Sequence, residues 1–194
     1  MQPVFVIYVG MNGSGKTTLH ALDREYEGVE FINPDIIVKQ NNWDWRSRGK
    51  NIKAGMIALE RILSNINNQK SFAIETTATP WKLINQAREK GFYIEIRMVM
   101  VKDVNLSKER IAGRVNNGGH GIMDAMVNAS FSRQENNIKK SIKMADHLII
   151  FDNIKGFRKI AEFRNSCAVY IKQDEEIIKK GYEEVLQEKQ TGNV

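Results

Sequence analysis

Residues 8–19 read YVGMNGSGKTTL, and they contain the spacing in this chain that most specifically predicts chemistry. Gly10, Gly15, Lys16 and Thr17 match the pattern G-x-x-x-x-G-K-[ST] at every fixed position. The glycines let the backbone curl so that successive N–H groups point at phosphate oxygens, and the helix that begins there adds partial positive charge. We expect Lys16 to reach the outer phosphates of ATP and the Thr17 hydroxyl to hold Mg²⁺. The predicted nucleotide-binding residues are Gly10, Asn12, Gly13, Ser14, Gly15, Lys16, Thr17 and Thr18.

Three acidic residues follow apolar runs that are typical of strands. Asp35, in INPDII, has two interpretations: the N-cap of the next helix, or a general base that takes a proton from an acceptor hydroxyl. Glu75, in FAIETT, would bind Mg²⁺ through water or hold the acceptor, unless it is merely an exposed acid at a strand end. Asp152, in LIIFD, resembles a Walker B aspartate, but it could equally start a turn with Asn153.

The segment KERIAGRVNNGGHGI (108–122) predicts a lid over the phosphates, extending over about residues 110–135. Arg110 and Arg114 are four residues apart and therefore share one helical face. A flexible, arginine-bearing segment can exclude water and place positive charge on a transferring phosphoryl group, although a solvated helix end is the alternative. His120 would contact a phosphate or the acceptor, or have no role. The three histidines are not spaced as metal ligands, so we predict no zinc site.

A basic, aromatic stretch, NNWDWRSRGKNIK, occupies residues 41–53. Its tryptophans could stack on bases while its cations meet phosphates, which would suit an acceptor nucleotide or single-stranded nucleic acid. The alternative is that Trp43 and Trp45 pack on the domain and the cations are solvated.

The elements that must position these residues alternate along the chain. Apolar runs predict strands at 4–9, 29–33, 71–77, 93–101 and 147–152, and an edge strand at 167–172. Helices are predicted from about Lys16, after Pro34, and over 51–67, 80–91, 107–114, 124–143 and 174–189. In the helix over 51–67, the apolar residues spaced by three and four are Ile52, Met56, Leu59, Ile62, Leu63 and Ile66. This order predicts an α/β P-loop fold with a mostly parallel sheet, helices on both faces and ligands at the carboxyl ends of the strands.

Length and composition are those of one globular domain. The chain has 194 residues, 42% of them hydrophobic and 27% charged, with three prolines and no linker-like segment. We therefore expect a single domain over 1–194 with a C-terminal strand and helix at about 160–190. One cysteine, no signal-like segment and no long apolar stretch favour the cytoplasm. The formal charge of +6 suits anionic ligands, although interspersed acids make a solvated basic surface the simpler interpretation.

Four segments, in the right order, resemble the zeta-toxin family of P-loop kinases in its compact chromosomal branch: GMNGSGKTTL, FINPDII, SFAIETT and RVNNGGHGI. LIIFDN (148–153) is a weaker fifth, and together they cover roughly residues 3–153. The resemblance implies a kinase that phosphorylates UDP-N-acetylglucosamine and is paired with a separate antitoxin. It also implies that Lys16 binds phosphate, that Asp35 is the base, that Glu75 and Thr76 line the acceptor site, and that Arg114 is a lid arginine.

One departure from the family concerns the second lid arginine. Relatives carry it in an arginine-rich run shortly after GGH, whereas this chain reads MVNASFSRQ (126–134), with Arg133 as the remaining arginine. Either Arg133 substitutes or the second phosphate contact is missing.

These residues favour an ATP- and Mg²⁺-dependent kinase acting on the hydroxyl of a small acceptor. Two alternatives stay open: a kinase acting on nucleic-acid ends, and a nucleotide-binding module of a toxin–antitoxin pair with little transfer activity. No membrane association is expected.

Overall fold

A computed structural model describes residues 2–116 and 121–191, and within them strands and helices alternate as the sequence predicts. The strands are β1 (Val4–Gly10), β2 (Glu30–Ile32), β3 (Phe72–Thr76), β4 (Tyr93–Met100), β5 (His147–Asp152), β6 (Arg158–Arg164) and β7 (Cys167–Ile171). The helices are α1 (Lys16–Leu22), α2 (Pro34–Gln40), α3 (Arg48–Asn67), α4 (Trp81–Glu89), α5 (Val104–Asn116), α6 (Asp124–Ser132), α7 (Gln134–Met144) and α8 (Glu176–Gln190). None of these helices combines the length and the hydropathy that crossing a bilayer requires.

The described strands form one sheet in the order β2-β3-β1-β4-β5-β6-β7. The first five are parallel, and β6 and β7 are added antiparallel at one edge. The predicted α/β P-loop fold class is therefore confirmed. β1 lies between β3 and β4, so the loop after β1 is flanked by the carboxyl ends of both neighbours.

Strand β6 was missing from the sequence prediction. Its sequence, RKIAEFR, interleaves charged and apolar residues, and irregular pairing beside Phe151 and Phe163 disturbs the simple alternation of a half-buried strand. Asn165 and Ser166 both have positive φ (49° and 62°), which is the geometry of a tight hairpin turn between β6 and β7. The Asn-Ser pair was the available signal for this hairpin.

The two sides of β1 pack against different layers. Phe5 and Ile7 belong to the main core, which α3, α4, α7 and α8 cover with apolar side chains. Val6 and Tyr8 point to the opposite side and pack with Leu19 of α1. Both sides of the strand are therefore buried, which explains its continuous apolar sequence.

Helix α3 spans Arg48–Asn67, but the predicted apolar face is wrong in part. Ile62 and Ile66 are buried as expected, whereas Ile52, Met56 and Leu59 are exposed. The core is contacted instead by the row that runs through Ala54, Ala58, Ile62 and Ile66. Trp43 and Trp45, which precede the helix, also pack against this core.

The predicted single helix over 124–143 is two helices, α6 and α7, which meet at Arg133. The break follows from packing, because the two helices pack against different apolar clusters. Val127 of α6 packs with Met11 and Ile111 in a small cluster beside the phosphate loop, whereas Ile138 of α7 belongs to the main core.

A row of ionisable side chains, Glu95, His147 and Glu162, crosses strands β4, β5 and β6 on the side of the sheet that α1 covers. His147 lies between two carboxylates, with Nδ1 2.9 Å from Glu95 Oε2 and Nε2 3.1 Å from Glu162 Oε1. Burial raises the pKa of Glu95 to about 8, and burial also lowers the pKa of His147. The hydrogen bond from Lys159 lowers the pKa of Glu162 to about 2. Arg97 Nε lies 3.2 Å from Glu95 Oε1, and its charge opposes the rise in the pKa of Glu95.

Candidate active site

The loop between β1 and α1 is held in the conformation that its glycines predict. Gly13 and Gly15 have φ values of 78° and 102°, in the left-handed region that glycine tolerates without strain. A Cβ on Gly13 would lie 2.7 Å from the Ser107 carbonyl oxygen, and one on Gly15 would lie 2.5 Å from Asn153 Nδ2. Neighbouring elements thus approach the loop so closely that only glycine fits at both positions.

Two polar contacts fix the loop from opposite sides. Asn153, directly after β5, donates from Nδ2 to the Ser14 carbonyl oxygen at 2.7 Å. The Asn12 N–H donates to Ser130 Oγ of α6 at 3.2 Å. The predicted binding residues lie in this loop and the first turn of α1. Asn153 and Ser130 were not predicted to support it, although Asn153 does fall within the LIIFDN segment.

Lys16 occupies the buried first position of α1. Its Nζ donates to the Met11 carbonyl oxygen at 2.9 Å and lies 3.5 Å from Glu75 Oε1. Burial lowers the pKa of Lys16, and the Glu75 carboxylate opposes that shift. The ammonium therefore lies across the mouth of the loop, where an incoming phosphate would compete with a backbone carbonyl and a carboxylate.

Glu75 is the acid that meets the phosphate loop. Thr17 Oγ1 donates to Glu75 Oε2 at 2.6 Å, and Asn33 Nδ2 donates to the same oxygen at 3.0 Å. This contact exists because β3, which ends in Glu75 and Thr76, lies directly beside β1. A threonine hydroxyl and a carboxylate are hard oxygen donors of the kind that Mg²⁺ prefers, with phosphates and water completing its octahedron. Residues 2–116 and 121–191 contain no group of three or more histidine, cysteine or acidic side chains arranged for a metal.

Asp152 has a structural role, and its resemblance to a Walker B aspartate is not supported by its position. Its Oδ2 accepts from Arg158 at 2.7 Å, and its Oδ1 accepts from the Ile154 N–H at 3.1 Å. β4 separates β5 from β1, which places Asp152 one strand too far from Thr17. Asp152 therefore starts a turn with Asn153, which was the alternative interpretation of this residue.

The N-cap interpretation of Asp35 is wrong, because Asn33 caps helix α2. Asn33 Oδ1 accepts from the Asp35 N–H at 2.8 Å, and Pro34 occupies the first helical position. The Asp35 side chain lies in the exposed first turn, near enough to Lys16 to raise its pKa. Asp35 is therefore not needed as a cap, and its carboxylate acts electrostatically on the Lys16 ammonium, although it is not among the side chains that line the cavity over the loop.

A cavity of about 500 Å³ lies over the loop, and two arginines of α5 line it together with Lys16, Thr17 and Glu75. Arg110 is half-buried and donates from Nη2 to the carbonyl oxygens of Asn153 at 2.7 Å and Ile154 at 3.3 Å. Its Nη1 is buried and has no hydrogen-bond partner among the described residues. Arg114, one turn later, is exposed at the cavity.

Arg133 is placed differently from Arg110 and Arg114. It is exposed at the junction of α6 and α7 and is not among the side chains that line the cavity. The second arginine that lines this cavity is thus Arg110, because the four-residue spacing on α5 turns it and Arg114 to the same side.

A second cavity, of about 480 Å³, adjoins the first, and Ile111 lines both. Its walls are mostly apolar and include Trp45, Val115 and Ile122. Of the basic aromatic stretch, Trp43 and Trp45 pack on the domain, as one interpretation expects, while Trp45 also faces this cavity.

Thr76, one of the two remaining predicted acceptor residues, lines neither cavity. Thr76 Oγ1 donates to the Ala78 carbonyl oxygen at 2.9 Å and accepts from the Ala78 N–H, which closes a turn after β3. His120 lies outside the described residues. Thr76 shapes the end of β3, and the assignment of either residue to the acceptor stays a prediction.

Together, the parallel sheet, the lysine-bearing glycine loop and the arginine helix above it define a P-loop kinase fold. No protein-family model matches the chain. An uncharacterized protein of Haemophilus influenzae is 32% identical over 130 residues, covering 66% of this chain and 91% of that protein. The chain belongs to the same family as this Haemophilus protein.

Solved structures support the fold at lower identity. A chain of the AvrRxo1-ORF1:AvrRxo1-ORF2 complex crystallised with ATP has a TM-score of 0.69 at 15% identity and covers 93% of this chain. This chain spans only 64% of that one. A chain of the PezAT chromosomal toxin–antitoxin system of Streptococcus pneumoniae has a TM-score of 0.64 at 17% identity, covering 96% of this chain and 86% of its own. A putative kinase from Chloroflexus aurantiacus has a TM-score of 0.52 at 19% identity, covering 69% and 80%. The likeness to the zeta-toxin kinases is thereby confirmed at the level of the fold.

Proposed function

We propose that this chain is a single-domain, ATP- and Mg²⁺-dependent kinase that phosphorylates a hydroxyl of a small acceptor. The proposed acceptor is a nucleotide sugar such as UDP-N-acetylglucosamine. The observation that carries the proposal is the cluster of Lys16, Thr17 and Glu75 beneath a cavity lined by Arg110 and Arg114. This cluster combines phosphate-binding cations with a pair of oxygens suited to Mg²⁺.

Each side chain has a distinct part in the proposed transfer. Lys16 leaves the Met11 carbonyl and binds the outer phosphates of ATP. Thr17 and Glu75 would hold Mg²⁺, which would supply charge neutralisation on the phosphates. The hydroxyl oxygen of the acceptor attacks the γ-phosphorus while Asp35 takes the proton of that hydroxyl, and ADP leaves. Arg114 stabilises the charge on the transferring group.

The adjoining cavity supports a small, partly apolar acceptor. Ile111 lines both cavities, so the helix that carries the two arginines also forms a wall of this second cavity. Trp45 provides an aromatic wall for a base or a sugar ring. A nucleotide sugar has both a planar base and ring hydroxyls, which is why it is the acceptor that we propose.

A specific observation favours a second candidate, a kinase of nucleic-acid ends. Arg46 lies 4.4 Å from the centre of the Trp45 ring, and Lys50 and Lys53 lie 5.0 Å and 5.3 Å from that of Trp43. These cations extend the site along an exposed, positively charged stretch that could follow a phosphodiester backbone. A chain of the Pnkp1/Rnl/Hen1 RNA repair complex shares the fold with a TM-score of 0.55, at 16% identity and covering 72% of this chain and 46% of its own.

The proposed physiological setting is a cytoplasmic toxin–antitoxin pair with a separate antitoxin protein. The PezAT and AvrRxo1-ORF1:AvrRxo1-ORF2 structures support it, because chains in both share this fold. A partner that covers the cavity over Lys16 would block the nucleotide.

The test is transfer of labelled γ-phosphate from ATP to a panel of nucleotide sugars, nucleosides and oligonucleotides, with Mg²⁺ and with EDTA. We expect a labelled nucleotide sugar, and no product from Lys16→Ala, which should keep the wild-type unfolding temperature within a few degrees. Labelled oligonucleotides alone would favour the second candidate. ATP binding without transfer to any acceptor would refute the kinase proposal and leave a nucleotide-binding module.

A further inference from the structure

Helix α3 has a second apolar row on the side that faces away from the core. Ile52, Met56 and Leu59 are 56%, 59% and 46% exposed, and half-buried Leu63 continues the row. At 100° per residue, this row is centred roughly 120° around the helix from the buried row of Ala54 and its successors. A solvated helix face does not need four aligned apolar side chains, so the row indicates an interaction surface.

The spacing of the row is specific for a helical partner. The steps of four, three and four residues from Ile52 to Leu63 are those of the a and d positions in a coiled-coil seam. A row with this period stays on one side of the helix for three turns, which matches the packing of a second helix at a small crossing angle.

The flanks of the row identify which helix fits. One flank carries Lys53 and Glu60, seven residues apart and of opposite charge, and the other carries Gly55 and Ile62. A uniformly acidic or basic partner helix would meet one favourable and one unfavourable charge on the first flank. A helix with the same two charges in reversed order would meet two favourable ones.

We propose that α3 pairs antiparallel with α3 of a second copy of this chain, about a two-fold axis near the middle of the row. In this register Met56 lies opposite the partner subunit's Leu59, and Ile52 lies opposite the partner subunit's Leu63. Lys53 then faces the partner subunit's Glu60, and the symmetry repeats the pair. On the second flank Gly55 adds no side chain, and Ile62 is buried in the core of its own chain.

A parallel pair would bring like charges together. It would bring Arg48 beside the partner subunit's Lys53, because positions five residues apart meet across a parallel seam. Two-fold pairing is also the commonest arrangement of protein homo-oligomers, and it needs only one self-complementary surface. The Lys53 ammonium lies 5.3 Å from the centre of the Trp43 ring, which Lys50 also contacts.

The test is sedimentation equilibrium of the full chain and of charge-swapped variants. We expect the wild type to dimerise, and Lys53→Glu and Glu60→Lys each to weaken the dimer at least tenfold, because each places like charges together twice. The double variant, and an equimolar mixture of the two single variants, should recover the wild-type affinity, since both restore opposite pairs. Lys90→Glu makes the same charge change at an exposed residue beyond α4 and should leave the dimer unchanged.

The folding of each variant is checked by circular dichroism and thermal unfolding. Met56→Glu, in the centre of the exposed row, should abolish the dimer while leaving the unfolding temperature of the monomer unchanged. A monomeric wild type overturns the proposal. A dimer that is indifferent to the single charge swaps also overturns it, as does a mixture that fails to recover.

Discussion

The two arginines of α5 make the sharpest test of the proposed mechanism, because sequence and structure disagree about which residue accompanies Arg114. The family resemblance leaves two possibilities, that Arg133 substitutes for the second lid arginine or that this contact is missing, whereas in the structure Arg110 lines the cavity over the loop and Arg133 does not. Alanine substitutions at the three positions separate these assignments.

The size of the Arg114 effect follows from its charge. A guanidinium about 4 Å from the transferring group, at an effective dielectric of about 20, contributes about 4 kcal/mol, or about 10³ in rate. Arg114 is exposed, so water already screens part of that charge. We therefore expect Arg114→Ala to lower kcat by about 10²–10³ with little change in the affinity for ATP, since the contact strengthens in the transition state.

Arg110 should behave differently because its guanidinium is already hydrogen-bonded to backbone carbonyl oxygens before any transfer begins. Its Nη2 hydrogen bonds tie α5 to the carbonyls of Asn153 and Ile154, and Asn153 in turn holds the phosphate loop. Hydrogen bonds from a charged donor contribute about 1.5–3 kcal/mol. Arg110→Ala should therefore raise KM for ATP about tenfold or more, and lower the free energy of unfolding.

Steady-state kinetics of the three variants, with thermal unfolding of each, provide the measurement. Arg133→Ala is the matched control, and its kcat and KM should stay within about twofold of wild type, as for surface substitutions that touch no ligand. A large fall in kcat in Arg133→Ala, with Arg110→Ala unaffected, would show that the lid closes differently and that our assignment of Arg110 is mistaken.

Three further substitutions test the rest of the structure. Asp35→Asn should keep ATP binding and stability but lose about 10²-fold or more in transfer, because the amide cannot take a proton; a normal rate per folded molecule would exclude Asp35 as the base. Glu75→Gln should raise the Mg²⁺ concentration required for half-maximal rate, as measured by metal titration at saturating ATP, and an unchanged requirement would remove Glu75 from the metal site. Glu95→Gln should flatten the pH dependence of urea unfolding between about pH 4.5 and 8. In wild type the folded chain retains this proton where the unfolded chain releases it, so the contribution of Glu95 to stability falls as the pH rises through that window. An unaltered pH profile would contradict the raised pKa.

The phosphate loop could be predicted from sequence because its chemistry is local. Gly10 to Thr17 are consecutive, and the required strand and helix lie immediately on either side. The strands that are buried on both faces were equally predictable, since their apolar runs are continuous. Helix boundaries near Pro34 and Pro80 followed from the same kind of local rule.

The strand order, by contrast, decided which strand-end acid, Glu75 or Asp152, lies beside the phosphate loop. Glu75 and Asp152 both end apolar strands, and nothing in either segment distinguishes them. Only the order β3-β1-β4-β5 brings Glu75 to Thr17 and keeps Asp152 one strand away. The cap of α2 was likewise ambiguous, because Asn33 and Asp35 are both good capping residues and the backbone conformation selected Asn33.

Packing between distant segments determined which face of a helix turns toward the site or the core, which the periodicity of the sequence could not show. The α5 spacing showed that Arg110 and Arg114 share a face, but only the tertiary structure turned that face to the phosphate cavity and ended α6 before Arg133. On α3, two apolar rows compete within one sequence, and only the packing of the helix against the sheet selected the row through Ala54, Ala58, Ile62 and Ile66 for the core. Sequence therefore determined the nucleotide loop and the layers of the fold, through interactions between near neighbours. The tertiary structure decided which distant side chains meet, because such contacts depend on strand order and packing volume rather than on spacing along the chain.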